Sequence, residues 1–506
     1  MIPRMRLLVA IALGLAAGIF LFPAALGLTG SAPAAAAIAV LGAVGFGFWM
    51  HRRPIVTLDE SAAPRTLRIV SGIAAVLALV LLGRLAVFMV APYHPEYSSV
   101  PSSQWEVRHS CVSAYFVAAR AARSASNIYS DSLYTSPDDD PTKVRKALTI
   151  GPFNIDVYEY PPPFLLLPRA LRLVAPEFMQ FRMLWFGIYN GLLLLAILLV
   201  ARMLGPAAGT RALLLSPLIW LAFPSMSGLQ KGNAQLMMIA GSVLAMLLFE
   251  RRRWAAGGAL LAFATVSKLY PGLLVVYLIA QRQWRAVAWT AAAALALVAL
   301  SILDLGWTQY RAFLQHLPGL MGGEAFPAFR NPAAAAINLS VPGLVFKLKL
   351  FGVPGMTFMA SKIVGWLYTL VALWVVVLAG TRKLRTEEKP LVWIAILILA
   401  TLRSPFLPQG YGAVPALWLL TLLAAIHAPG NKTLLVTLLG WAALNIVWPL
   451  DWPVDPRLLA LANLIPQTLT IVLAVLVLKR ALVPQPESTP RAFVDAAPTP
   501  VASRGA

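Results

Sequence analysis

The chain has 506 residues, 59% of them hydrophobic and 12% charged, with a formal net charge of +21; soluble proteins carry roughly 25% charged residues, so a soluble globular fold is excluded. The basic residues sit in short clusters between apolar runs, so the charge reads as positive-inside topology and not as nucleic-acid affinity. A single cysteine excludes an intrachain disulfide and a cysteine-rich metal site, and the five histidines show no His-x-x-x-His spacing that would hold a metal.

Apolar runs of about 20 residues recur along the length, the signature of a polytopic helical membrane protein. The first, Arg6 to Leu28, follows Arg4. A signal peptide is the rival reading, but Phe20 to Leu28 prolongs the run beyond a signal core and no clear cleavage site follows, so it reads as an uncleaved helix. Helices are expected near 6–28, 33–50, 68–91, 178–203, 209–225, 235–250, 256–267, 269–281, 286–304, 357–379, 390–404, 413–427, 432–449 and 458–478. The expected class is an all-α bundle of about 12–14 transmembrane helices, residues 1–480 forming one domain. Arg52 and Arg53, Arg251 to Arg253, Arg282 and Arg285, Arg382 with Lys383 and Arg385, and Lys479 with Arg480 can then all face the cytoplasm.

Segments 256–267 and 269–281 are each too short for a straight span at 1.5 Å per residue. With basic clusters on both flanks they read as a hairpin whose tip, Ser267 to Pro271, points outward. Two larger external loops cover about 93–177 and 305–356, and a short one covers Arg403 to Tyr411. The first loop contains an alanine-rich amphipathic helix, Val112 to Ala125. Residues 481–506, rich in Pro, Ser and Ala, read as a disordered cytoplasmic tail. No internal repeat is visible, which weighs against an inverted-repeat transporter.

The polar residues of interest all fall on the external side of this threading. They are Glu106, His109, Tyr115, Asp156, Tyr158, Glu159 and Tyr160 in the first loop, and Lys231, Asn233 and Gln235 in a polar turn. Lys268 and Tyr270 lie at the hairpin tip; Glu324, Arg330, Asn331 and Asn338 in the second loop; Arg403, Gln409 and Tyr411 in the third. An intramembrane Lys costs about 2.5–3.5 kcal/mol and needs an anionic partner. Lys268 therefore reads either as a snorkelling side chain or as the counter-ion of a lipid phosphate, and Arg403 carries the same two readings. The prolines of Tyr160-Pro161-Pro162-Pro163 divide one element from the next, and the tyrosines suit an interfacial belt. Asp138-Asp139-Asp140, set among Ser136, Pro137 and Pro141, reads as a solvated turn and not as a metal-nucleotide motif.

Several motifs, taken in order, carry a resemblance. YPPP opens a helix after a long external loop. KGNAQLMM forms a polar turn before a helix. LLAFATVSKLYPGLLVVYLIAQRQWR holds a small-residue helix, Lys-x-Tyr-Pro, an apolar helix and a basic turn. Asn338-Leu339-Ser340 and LRSPFLPQGYG follow. Over roughly residues 68–430 the chain resembles glycosyltransferase family 87, the polyprenol-phosphate-mannose-dependent mannosyltransferases of the GT-C fold.

The resemblance implies a hexosyltransferase of a bacterial-type plasma membrane, active on the external face. The donor would be a polyprenyl-phosphate sugar, mannose or another hexose, and the acceptor a glycolipid or glycan. Neither cofactor nor metal is expected. A carboxylate would deprotonate the acceptor hydroxyl, and in-line attack would invert the anomer. Lys268 and Arg403 would hold the donor phosphate. His109, Tyr115, Tyr158, Glu159, Tyr160, Lys231, Asn233, Tyr270, Asn338, Gln409 and Tyr411 would bind sugar or acceptor, with Trp105 stacking on a sugar face. The family carries an Asp early in the first external loop, but Glu106 to Tyr115 contains none. The base is therefore Glu106 or Asp156. Gln409 and Tyr411 stand where the family's late element continues with Trp and His. The rival readings are a transporter or flippase of a lipid-linked glycan, which would string polar residues through the membrane, a non-catalytic scaffold, which leaves Lys268 unexplained, and a GT-C relative using an arabinose or other hexose.

Overall fold

A computed structural model describes residues 4–136, 146–427 and 430–482, with the side chains of Arg4, Pro327 and Tyr411 excepted. The Asp138–Asp140 run and the tail beyond 482 lie outside the described residues. Among those described, seven helices are long and apolar enough to cross a membrane: Met5–Thr29, Ala32–Arg52, Arg65–Val90, Phe178–Met203, Trp284–Leu305, Phe358–Gly380 and Pro456–Leu482. Their outer faces carry bare apolar side chains, such as Leu295 at 72% and Leu303 at 83% exposure, which only lipid can cover favourably. Shorter apolar helices, Gln235–Glu250, Lys389–Leu402 and Val414–Ile426, lie among them. The expected count of about 12–14 includes such short helices; by length alone, seven or eight reach across a bilayer.

The single helix expected over 209–225 is instead broken. Helices Gly205–Leu215 and Pro217–Leu221 are followed by Phe223–Lys231, with a 64° bend between the last two. Pro217 and Pro224 each sit in the first turn of a new segment, where a missing N–H costs nothing but the preceding helix cannot continue. Helix Phe223–Lys231 ends at Gly232, whose φ of +67° caps it. Lys231 consequently stands on a helix, not in the polar turn expected there.

The short hairpin is present as helices Trp254–Lys268 and Gly272–Ala280. Leu269 turns its tip with φ +54°. Gly258 lets the first of these helices lie against Trp284–Leu305: a Cβ there would sit 2.7 Å from the Trp289 carbonyl carbon. The first large loop folds around helix Cys111–Ala121, which is buried almost all round and so is not an amphipathic surface helix. The second contains helices Trp307–Gly322, Pro332–Ala336 and Leu344–Leu350.

A three-stranded sheet organises the first loop. Strands His109–Ser110, Thr149–Ile150 and Phe153–Ile155 are ordered with Phe153–Ile155 in the middle. His109 pairs with Asn154 and Ser110 with Ile155 in parallel, while Thr149 and Ile150 close an antiparallel hairpin onto the same strand. Gly151 supplies the positive φ that the tight turn requires. This register brings the segment after Glu106 alongside the segment that ends in Asp156. The YPPP run then passes through a 3₁₀ turn, Pro162–Leu165, into helix Leu166–Val174. Arg169 on that helix ion-pairs with Asp304 at the end of Trp284–Leu305, and Arg123 reaches the same carboxylate at 2.6 Å.

Candidate active site

A cavity of about 760 Å³ opens where the first loop, the hairpin tip, the second loop and the 403–410 segment meet. It is lined by Glu106, His109, Tyr115, Asp156, Glu159, Tyr160, Lys231, Asn233, Lys268, Tyr270 and Arg403. Residues far apart in sequence thus converge on one space. The remaining wall is apolar, with Leu273, Phe313, Leu317, Leu320, Phe326 and Leu399 among its members.

The two carboxylates singled out as alternative bases differ sharply. Glu106 is 4% exposed. Its Oε1 accepts from Lys231 Nζ at 2.6 Å and its Oε2 from Ser227 Oγ at 3.0 Å. Gln230 donates to its backbone carbonyl at 2.6 Å, so both carboxylate oxygens are occupied. Asp156 keeps a third of its side chain exposed (34%), and its Oδ2 lies 3.6 Å from His109 Nε2. Its backbone N–H donates to Ser113 Oγ at 2.9 Å and its Oδ1 accepts the Val157 N–H at 3.1 Å. Among the described residues the carboxylate meets no cation other than His109, and it lines the cavity. Burial holds His109 below the usual histidine range, against the pull of Asp156. Burial also raises Glu159 well above the usual carboxylate range; Asp156 adds to that and Lys268 opposes it.

Lys268 Nζ donates to Gln235 Oε1 at 3.1 Å and stands 4.8 Å from the centre of the Tyr160 ring. Arg403 Nε donates to Thr369 Oγ1 at 2.6 Å, and its guanidinium carbon lies 5.6 Å from the Trp366 ring centre. Gly365 leaves room for that group, since a Cβ there would come within 3.1 Å of it. Among the described residues, neither cation has a carboxylate in an ion pair. Two cations held by neutral groups over an apolar wall leave positive charge for an anion.

Aromatic packing builds the floor. Tyr115 and Tyr160 share a hydrogen bond of 2.8 Å between hydroxyls, and the Ala234 N–H donates to Tyr115 Oη at 3.1 Å. The Tyr270 hydroxyl donates to the Gln235 carbonyl at 3.1 Å. Asn233 Oδ1 accepts the Gln235 N–H at 2.9 Å, and Trp105 stacks on His109 with ring centres 4.5 Å apart.

Three residues expected to bind sugar or acceptor do not reach the cavity wall. Tyr158 is fully buried, its hydroxyl donating to the Pro161 carbonyl at 3.2 Å. Asn338 is also buried: its Nδ2 donates to the Pro405 carbonyl at 2.8 Å and its Oδ1 accepts the Leu407 N–H at 2.9 Å. Gln409 donates to the Ile446 carbonyl at 2.5 Å and accepts from Asn463 at 2.6 Å. Asn338 and Gln409 pin the loop that carries Arg403. The Tyr411 side chain lies outside the described residues. Trp448 and Cys111 line the cavity without having been singled out as ligand-binding residues; Cys111 gave no signal as a lone cysteine at the start of a buried helix.

Residues 158–405 match the model of glycosyltransferase family 87. The chain carries a glycosyltransferase family 87 domain. Family 87 is a GT-C family, and with its long apolar helices the protein is a multi-pass membrane glycosyltransferase. The comparisons with curated proteins and with solved structures gave no match. Lys231, Lys268 and Arg403 fall inside the matched family 87 segment, whereas Glu106, His109 and Asp156 precede it.

Proposed function

We propose that this family 87 glycosyltransferase moves a hexose, such as mannose, from a polyprenyl-phosphate donor to a glycolipid or glycan acceptor on the external face of a bacterial-type plasma membrane. The observation that carries the reading is a pair of cations, Lys268 and Arg403, that make no carboxylate ion pair among the described residues, in one cavity that also has a long apolar wall and a partly exposed Asp156. A phosphate between the cations and a lipid chain along the apolar residues would satisfy both features at once.

In the proposed step, Asp156 takes the proton of the acceptor hydroxyl as that oxygen attacks the anomeric carbon. The new bond is from acceptor oxygen to anomeric carbon. The bond broken joins that carbon to the phosphate oxygen, and polyprenyl phosphate leaves with the electron pair, its charge met by Lys268 and Arg403. Attack opposite the leaving group inverts the anomer. Asp156 is the better base than Glu106 because it is a third exposed, whereas Glu106 is buried in an ion pair with the Lys231 ammonium. Tyr160, Asn233 and Tyr270, which line the cavity, would contact the sugar.

The test is incubation of purified protein with radiolabelled polyprenyl-phosphate sugars and a membrane-lipid extract. Labelled glycolipid or glycan product is expected. Release or movement of the donor without any new glycoside would overturn the transferase reading of the cavity.

A further inference from the structure

Three side chains of different chemistry meet in the wall of the cavity. His109 Nε2 lies 3.6 Å from Asp156 Oδ2 and 3.6 Å from Cys111 Sγ, and all three ligand atoms lie within 4.8 Å of one another. In a tetrahedral zinc site with bonds of about 2.0–2.1 Å to N or O and 2.3 Å to S, ligand atoms stand about 3.3–3.6 Å apart. Two of the three edges already have this length, and a small rotation of Asp156 closes the third. From these contacts we propose that His109, Cys111 and Asp156 form a binding site for a zinc-class divalent ion.

The surroundings hold these ligands in place. The parallel pairing of His109 with Asn154 fixes the two strands that carry His109 and lead to Asp156. The Trp105 ring stacks on His109 at an interplanar angle of 17° and sets its plane. Ser113 Oγ accepts the Asp156 N–H and donates to the Ser110 carbonyl at 2.6 Å. Asn233 Nδ2 donates to Cys111 Sγ at 3.5 Å. Such supporting hydrogen bonds orient metal ligands and tune them. Cys111 is also the first residue of helix Cys111–Ala121, which fixes its backbone. A thiolate, an imidazole and a carboxylate suit zinc over magnesium or calcium, which prefer all-oxygen shells. All three residues line the cavity, so the fourth position is open to a ligand oxygen. Three protein ligands with one open position is the arrangement of reactive and not of structural zinc. The site does not rest on the transferase reading. An ion there would occupy the carboxylate proposed as proton acceptor, so zinc is expected to slow transfer.

The test uses full-length protein in detergent, without a polyhistidine tag, stripped with chelator and dialysed against zinc. Elemental analysis should find one zinc per chain in the wild type. His109→Ala, Cys111→Ser and Asp156→Asn should each weaken binding at least about tenfold, as loss of metal-site groups does. Cobalt in place of zinc gives a readout that needs no variant. Cys111 is the only cysteine, so a thiolate-to-cobalt absorption band on the wild type can arise only there. Absence of that band, no stoichiometric zinc, or wild-type affinity in all three variants would overturn the proposal.

Discussion

The Glu106 carboxylate and the Lys231 ammonium form an ion pair of 2.6 Å with both side chains buried. The pair joins the first loop to helix Phe223–Lys231 in the wall of the cavity. Removing one partner of a buried pair leaves an uncompensated charge and costs about 3–5 kcal/mol. Lys231→Met should therefore lower the melting temperature markedly. Glu106→Gln should do the same, and the double variant should recover part of the loss. A Glu106→Gln protein of wild-type stability that has lost all transfer would instead make Glu106 the base.

Asp156→Asn is expected to lower sugar transfer by about 10²–10⁴-fold, the usual worth of a positioned base. Stability should hardly change, because the backbone N–H of residue 156 keeps its bond to Ser113. The check is a transfer assay with a polyprenyl-phosphate sugar beside a thermal melt of the same preparation. Undiminished transfer removes Asp156 from the mechanism.

For the donor, Lys268→Met and Arg403→Met should each weaken binding of a polyprenyl phosphate. Hydrogen bonds to charged groups contribute about 1.5–3 kcal/mol, so each change is expected to cost about 10-fold or more. Loss of Lys268 also frees Gln235 Oε1, so Lys268→Arg serves as the charge-preserving control. Unchanged donor affinity in Lys268→Met would return that residue to a snorkelling role.

Part of this was readable before any coordinates. Apolar runs locate the helices because lipid tolerates little else, and a lone Lys or Arg between such runs marks itself by its cost. Lys268 and Arg403 both reach the cavity. Pairings across long stretches of chain were not readable: Lys231 and Glu106 are 125 positions apart, and nothing local distinguishes a lysine that neutralises a carboxylate from one that awaits a ligand. Asn338 and Gln409 have side chains suited to a sugar, yet their amides satisfy buried backbone carbonyls, a demand set by how the 403–408 loop folds. Tyr158 shows the same limit, since a tyrosine beside YPPP looks alike whether it faces the cavity or the aromatic core. The His109, Cys111 and Asp156 cluster depends on a parallel strand pairing that a two-residue strand, His109–Ser110, does not announce.

Lys347 carries a pH prediction away from the cavity. It is 3% exposed on helix Leu344–Leu350, and its Nζ donates to Asn463 Oδ1 at 2.6 Å and Gln467 Oε1 at 2.7 Å. Burial lowers its pKa from 10.5 to about 7, with no carboxylate among the described residues to offset the loss of water. A neutral amine still has two N–H groups for the two amide oxygens. The unfolded chain holds a proton on this residue up to about 10.4, so between that value and about 7 it binds more protons than the folded chain does. Stability should therefore rise with pH across this window, and below about 7 the folded lysine protonates too and the slope from this residue vanishes. Thermal melts of wild type and Lys347→Met at pH 6.5, 8 and 9.5 isolate the effect. The variant should melt lower at every pH, since both amide oxygens lose their donor, and the rise from pH 6.5 to 9.5 should be smaller than in the wild type. Equal rises in the two proteins would mean that Lys347 keeps its charge when folded.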